Sequence, residues 1–222
     1  MANPAPETQS SEPRRRYGRQ LLALAVFVAV CVAILSLFAG FTASHIERNE
    51  RAWLETQINA LVPEQLHDND LITDVVKVSA PEFLGTRQPV PVYRARLHGQ
   101  PTAVVVNSVA PDGYGGPIVL LVAIDYGGKV LGVHVLAHHE TPGMGDVFEQ
   151  PGSTWLDAFR GRSLNDPDIR GWNVRKDGGD FEQFTSATIS PRAIIRAVQK
   201  TLDYYQSHRD SLYRPTHDPA SH

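Results

Sequence analysis

Near the C-terminus a run of hydroxyl residues, Thr185-Ser186-Ala187-Thr188-Ile189-Ser190-Pro191, joins a loop to a helix-like segment. Ser190 is a good N-cap type and Pro191 a good first helical residue. Beyond them Ile194, Ile195, Val198, Leu202 and Tyr205 recur at helical spacing. A helix start offers unpaired N–H groups and partial positive charge, which favour an anion, phosphate above all. A threonine at that point, Thr188, can hold a phosphate or be esterified to one, with Arg192 positioned to add a charge-assisted contact. The same pattern also serves an ordinary capped helix behind a polar loop.

A second run, His138-His139-Glu140-Thr141-Pro142-Gly143-Met144-Gly145, follows a strand-like segment. Thr-Pro-Gly is by itself a turn: Pro142 fixes one φ and Gly143 permits a positive one. A metal site from His134, His138, His139 and Glu140 is the other plain reading. Adjacent histidines on a strand point to opposite faces, which counts against it. As a ligand loop, the run would bring backbone close to a flat aromatic group, with the soft side chain of Met144 against it.

The TSAT run resembles the covalent flavin-attachment signature of the FMN-binding domain family, roughly Asp-x-x-Ser/Thr-Gly-Ala-Thr. Thr185 matches the hydroxyl position, Ala187 the alanine and Thr188 the attachment threonine; Ser186 stands where glycine is usual and Glu182 where aspartate is usual. The pairing of this run with His138, Glu140, Thr141, Pro142, Gly143, Met144 and Gly145 is similar to the flavin-bearing G subunits of Rnf electron-transport complexes. It is also similar to their cousins, the C subunits of the sodium-pumping NADH:quinone reductase. Tyr114-Gly115-Gly116-Pro117-Ile118 adds to the likeness, which spans about Arg14 to Ser207. The modest length favours the Rnf type.

The resemblance implies FMN joined by a phosphoester to Thr188, with Thr185, Ser186, Ala187, Glu140, Thr141, Gly143 and Met144 around it. It implies a redox carrier that relays electrons one at a time, inside a complex that couples ferredoxin/NAD electron transfer to ion transport. Partners would be the other complex subunits and a flavin transferase, since no base for the Thr188 hydroxyl is evident. No catalytic residue is assigned to the chain itself. A non-redox assembly subunit, and an FMN-binding protein of another system, are the competing readings.

The elements that must hold these runs follow from hydropathy. Residues 21–41 form an uncharged apolar stretch of about 31 Å as a helix, the thickness of a hydrocarbon core. A cleaved signal peptide would have a shorter apolar region, about 7–15 residues. Arg14, Arg15, Arg16 and Arg19 precede the stretch and a mixed set follows it, so the N-terminus is expected inside and the main domain outside, in the periplasm of a bacterium. The expected organisation is a cytoplasmic tail over 1–20, one transmembrane helix over 21–41, an extracytoplasmic FMN-binding domain over 42–210, and a flexible tail over 211–222.

The outer region reads as α+β. Helix 46–61 continues the membrane helix outward. Val-rich strands follow at 71–78, 90–97, 102–109, 118–124 and 130–137, mainly as antiparallel hairpins, and a short helix lies at 153–159. Asp125-Tyr126-Gly127-Gly128-Lys129 reads as a hairpin turn. The one cysteine, Cys31, falls inside the apolar stretch. That excludes a disulfide framework, a cysteine-held iron–sulfur cluster and thioether haem from the outer domain. Residues 1–20 carry four Arg and two Glu, a net of +2; the chain is −3, which leaves −5 for the rest. No basic stripe is present, and nucleic acid is not an expected partner.

Overall fold

The computed structural model describes residues 12–184 and 187–214, with only the backbone described over 12–16, 19 and 39–48. Its first helix, α1 (Glu12–Leu61), contains Gln20–Phe38, among the described residues the one segment long and apolar enough to cross a membrane. Leu21, Leu22, Phe27, Leu35 and Phe38 are all exposed there. That many large apolar side chains on one helix suit lipid rather than water. The chain divides into two compact units at Trp53/Leu54, and the second holds the FMN-type motifs.

In the second unit five strands form one antiparallel sheet in simple chain order: β1 (Val75–Val78), β2 (Val90–Leu97), β3 (Gln100–Ala110), β4 (Ile118–Asp125) and β5 (Val130–Ala137). The α+β class with a mainly antiparallel sheet is therefore as the sequence indicates. Turn chemistry drives the meander. His98 and Gly99, both at positive φ, form a two-residue loop between the paired Leu97 and Gln100, the pattern of a type I′ hairpin. At the β4–β5 turn Gly128 takes a φ of 90°, and the Asp125 carboxylate accepts the N–H of Lys129 at 2.8 Å.

The first strand is shorter than the Val-rich run predicts. Asp70 terminates the preceding chain in a turn, accepting the Ile72 N–H on its side chain and the Thr73 N–H on its carbonyl. Leu71 is buried, as an anchor before the strand and not as part of it. A one-turn helix, α2 (Pro81–Leu84), which the sequence pattern does not signal, closes on Gly85 in the left-handed region.

Both sheet faces are covered. Val92, Val104, Val106, Leu120, Val122 and Ile124 face one core with Ile194, Ile195, Val198 and Leu202 of α3 (Ile189–Leu212). Tyr93, Ala95, Ala103, Val105, Leu121 and Ala123 face a smaller core with Ile58 and Val62. Period-2 alternation along each strand separates the two sets. Burying each aliphatic side chain of α3 contributes ~1.5–3 kcal/mol, which fixes the helix whose start carries Thr188.

The far end of α3 is also fixed. It runs to Leu212, past the boundary at 210 expected from the polar, charged sequence, because Leu212 and Tyr213 are buried. Arg94 donates to the carbonyls of Leu212 and Arg214 while its Nε binds Asp74 at 2.6 Å. Arg96 donates to the Tyr213 carbonyl at 3.3 Å and to Asp74 at 2.7 Å. Two arginines from β2 thereby satisfy carbonyls that the helix end leaves open.

Candidate FMN site

Three segments converge at the start of α3. The first is the turn Gly113–Gly116, ahead of β4, where the Gly116 N–H reaches the Gly113 carbonyl at 3.3 Å. The second is the loop after β5. There Thr141-Pro142-Gly143-Met144 closes with a Met144 N–H to Thr141 carbonyl bond of 3.1 Å and a Gly143 φ of 79°, as a type II turn requires. The third is Ala187-Thr188 and the first turn of the helix. A cavity of about 270 Å³ opens between them, lined by Tyr114, Thr141, Met144, Gly145, Ala187, Thr188 and Ile189.

Glu140 holds the three together. It is 5% exposed. Its Oε1 accepts the Gly115 N–H at 3.1 Å and its Oε2 accepts the Ser190 hydroxyl at 2.7 Å. The glycines around it leave no room for a side chain. A Cβ on Gly115 would come within 1.9 Å of the His139 carbonyl, and one on Gly145 within 2.3 Å of Glu140 Oε2. The loop is braced from behind by His138. Its Nδ1 accepts the Glu140 N–H at 3.0 Å, so the ring proton sits on Nε2, 2.9 Å from Glu149. Among the described residues no group of three or more His, Cys, Asp or Glu could hold a metal ion.

Thr188 is the N-cap residue of α3, in place of Ser190, which lies inside the first turn of the helix and is fully buried. The Ser-Pro pattern points to Ser190 as cap, but the Glu140 carboxylate takes its hydroxyl. Thr188 Oγ1 accepts a bond of 3.2 Å from Arg192 Nη1. The two residues are i and i+4 and share a helix face. The other edge of that guanidinium forks onto Asp177, Nε to Oδ2 at 2.6 Å and Nη2 to Oδ1 at 2.9 Å. The Arg192 hydrogen bonds hold the Asp177 carboxyl below the usual carboxylate range, and the Asp177 bond pushes the guanidinium up.

Of the residues singled out in the sequence, Thr141, Met144, Ala187 and Thr188 meet around the cavity. Glu140 lies behind its wall, as a tie. Gly143 shapes the turn and gives its N–H to Asp146 at 2.7 Å. Thr185 and Ser186 lie outside the described residues. Sequence reading did not assign Tyr114, Ile189 or Asp177 to the site. Tyr114 sits in the Gly-rich run that carries part of the resemblance, which was its one signal. Asp177 has none, since its link to Arg192 is made only by folding.

The residues fit a flat, partly apolar ligand with an anionic group. Tyr114, Met144 and Ile189 line the cavity yet remain 69%, 49% and 46% exposed. Large apolar side chains left open around one cleft are the usual mark of a ligand site. The Thr188 hydroxyl and the start of α3 belong to the same lining, and the Arg192 guanidinium touches that hydroxyl.

Comparison with known proteins agrees. The family model described as the FMN-binding domain matches residues 113–203, which include all three converging segments. A protein of Pseudomonas aeruginosa, named as the G subunit of an ion-translocating oxidoreductase complex, is 44% identical over 202 residues, 91% of this chain and 94% of its own length. Proteins of the same name are 42% identical in Vibrio parahaemolyticus, covering 86% of this chain and 90% of theirs, and 41% identical in Shewanella loihica, covering 85% and 89%. With likeness at this level over 85–91% of its length, the chain belongs to the family of Rnf-type ion-translocating oxidoreductase complex G subunits and contains that family's FMN-binding domain.

Proposed function

We propose that this chain is a membrane-anchored electron-carrier subunit of an Rnf-type complex, bearing FMN joined through its phosphate to Thr188 Oγ1. The complex would couple electron transfer between ferredoxin and NAD to ion transport. The observation that carries the reading is the convergence of Thr141, Met144 and Thr188 on one cleft, with Arg192 directed at the threonine hydroxyl. When bound, the flavin supplies the redox chemistry, and the protein supplies position and electrostatics.

The residues of the cleft have separate tasks. Tyr114, Met144 and Ile189 offer apolar surface for the ring. Thr188 Oγ1 would be the attachment atom, and the unpaired N–H groups at the start of α3 would be the backbone donors nearest its phosphate. Pro191 contributes no N–H there. Attachment needs a flavin phosphorus bearing a good leaving group, as in a flavin dinucleotide. The Thr188 O–P bond forms, the anhydride P–O bond breaks, and the nucleoside monophosphate departs with the threonine proton. Arg192, the partner of the Thr188 hydroxyl, is a cation and cannot take that proton. A separate flavin transferase therefore supplies the base.

Outside the membrane a covalent tether keeps the cofactor at high effective concentration where free FMN would be lost. The test is the full-length chain co-expressed with a flavin transferase and run on a denaturing gel. Flavin fluorescence that migrates with the denatured chain supports the carrier reading. A colourless chain of unmodified mass from that host favours an assembly subunit.

A further inference from the structure

We infer that Arg192 receives the flavin phosphate at Thr188 and that Asp177 aims it. This rests on Thr188 being the acceptor. Three distances carry the inference. Arg192 Nε and Nη2 are held by the two Asp177 oxygens at 2.6 and 2.9 Å, and Nη1 lies 3.2 Å from Thr188 Oγ1. A guanidinium has five N–H donors in a rigid plane. With one edge committed to the carboxylate, donors remain on Nη1 and Nη2, and Nη1 lies beside the hydroxyl. A phosphodiester on Thr188 has two non-bridging oxygens, which match that edge as a bidentate acceptor.

The arrangement also discriminates among hydroxyls. Ser190 is nearby, but its hydroxyl is fully buried and donates to Glu140. Thr188 is part-exposed, and the bond from Arg192 occupies an oxygen lone pair without using the hydroxyl proton. That proton stays available to an incoming base. As the O–P bond forms and the anhydride breaks, negative charge on the phosphorus oxygens grows beside a cation already in place. Asp177 touches neither flavin nor hydroxyl. It is a positioning residue that removes the rotamer freedom of a long side chain before the phosphate arrives.

The experiment uses the full chain in detergent with a flavin transferase and a flavin dinucleotide. Initial rates of covalent loading are measured against acceptor concentration for the natural chain, Arg192→Gln, Arg192→Lys and Asp177→Asn. The ³¹P resonance of each loaded protein is recorded, and thermal melting checks the fold. Arg192→Gln is expected to lower kcat for loading roughly tenfold or more, with Arg192→Lys recovering part of it and Asp177→Asn falling between. The ³¹P resonance of loaded Asp177→Asn should be displaced from that of the natural chain. Natural rates in Arg192→Gln with an unmoved ³¹P resonance would overturn the inference. Peptide mapping of the natural chain separates the two levels. Flavin on Thr188 with indifferent Arg192 variants removes this inference alone, whereas flavin on another residue removes the reading beneath it.

Discussion

Thr188 and Ser190 are both hydroxyl residues at the start of one helix, yet only one is open to chemistry. Ser190 is sealed against Glu140, and Thr188 faces the cleft with Arg192 behind it. That Thr188 belongs with Thr141 and Met144 around one cleft was legible in the sequence as a pair of motifs. The exchange of capping roles was not, because the group that claims Ser190 comes from a distant loop. Met144 was legible for the same reason as Thr188, and its half-exposed position at the cleft makes it a clean probe. Met144→Asp adds a charge that water can still solvate, so folding should survive with melting within a few degrees. Beside a bound ring, however, that charge is poorly screened. Absorption, fluorescence quenching and midpoint potential of the loaded protein should change. A loaded Met144→Asp protein with all three unaltered would show that the loop lies away from the flavin.

At the level of elements, regular patterning carried well. Strands β2 and β5 have the bounds their Val-rich runs predict, and α3 buries the five positions its periodicity marks. The errors lie where local signals compete with turns. Leu71 to Thr73 looks like strand by composition but is folded back by Asp70, and the short helix expected over 153–159 is a 3₁₀ segment limited to Trp155–Phe159. What joins these elements into a site is Glu140, whose carboxylate bridges two of them from a third. Glu140→Ala leaves the buried Ser190 hydroxyl without its acceptor and removes the tie to the Gly115 N–H, which water can still reach. At ~1–3 kcal/mol for the one buried donor stranded, denaturant unfolding should show a loss of about 1–3 kcal/mol. Glu140→Gln keeps an acceptor and should lose less. Equal stability of Glu140→Ala and the natural chain would mean that these bonds do not hold the cleft.

For the whole molecule, charge and hydropathy along the chain were enough to indicate one spanning helix and one α+β domain, and the apolar window Gln20–Phe38 matches that expectation in length and composition. The end of the domain was harder to see. Residues 211–222 read as tail, whereas Arg94 and Arg96 dock the chain as far as Arg214. Those two arginines belong to β2, and nothing local at the C-terminus announces them. The arginines before the apolar stretch predict an extracytoplasmic domain. A reporter active only in the cytoplasm, joined after His222 so that the docked end stays intact, should be silent. One that works only outside the cytoplasm should be active there. The opposite pair of results would put the domain on the cytoplasmic side and remove the case for an extracytoplasmic flavin.

The central claim is a single covalent bond at Thr188, and intact-mass measurement with peptide mapping of the full chain from a flavinylating host tests it most directly. The natural chain should be heavier by FMN less one water, with the added mass on the peptide that contains Thr188 and on that residue. Thr188→Ala should fold, melt close to the natural chain and carry no covalent flavin. Thr185→Ala should load less while keeping what it carries on Thr188. Flavin mapped to Thr185, Ser186 or Ser190, or a Thr188→Ala protein that stays yellow after denaturation, would contradict the account.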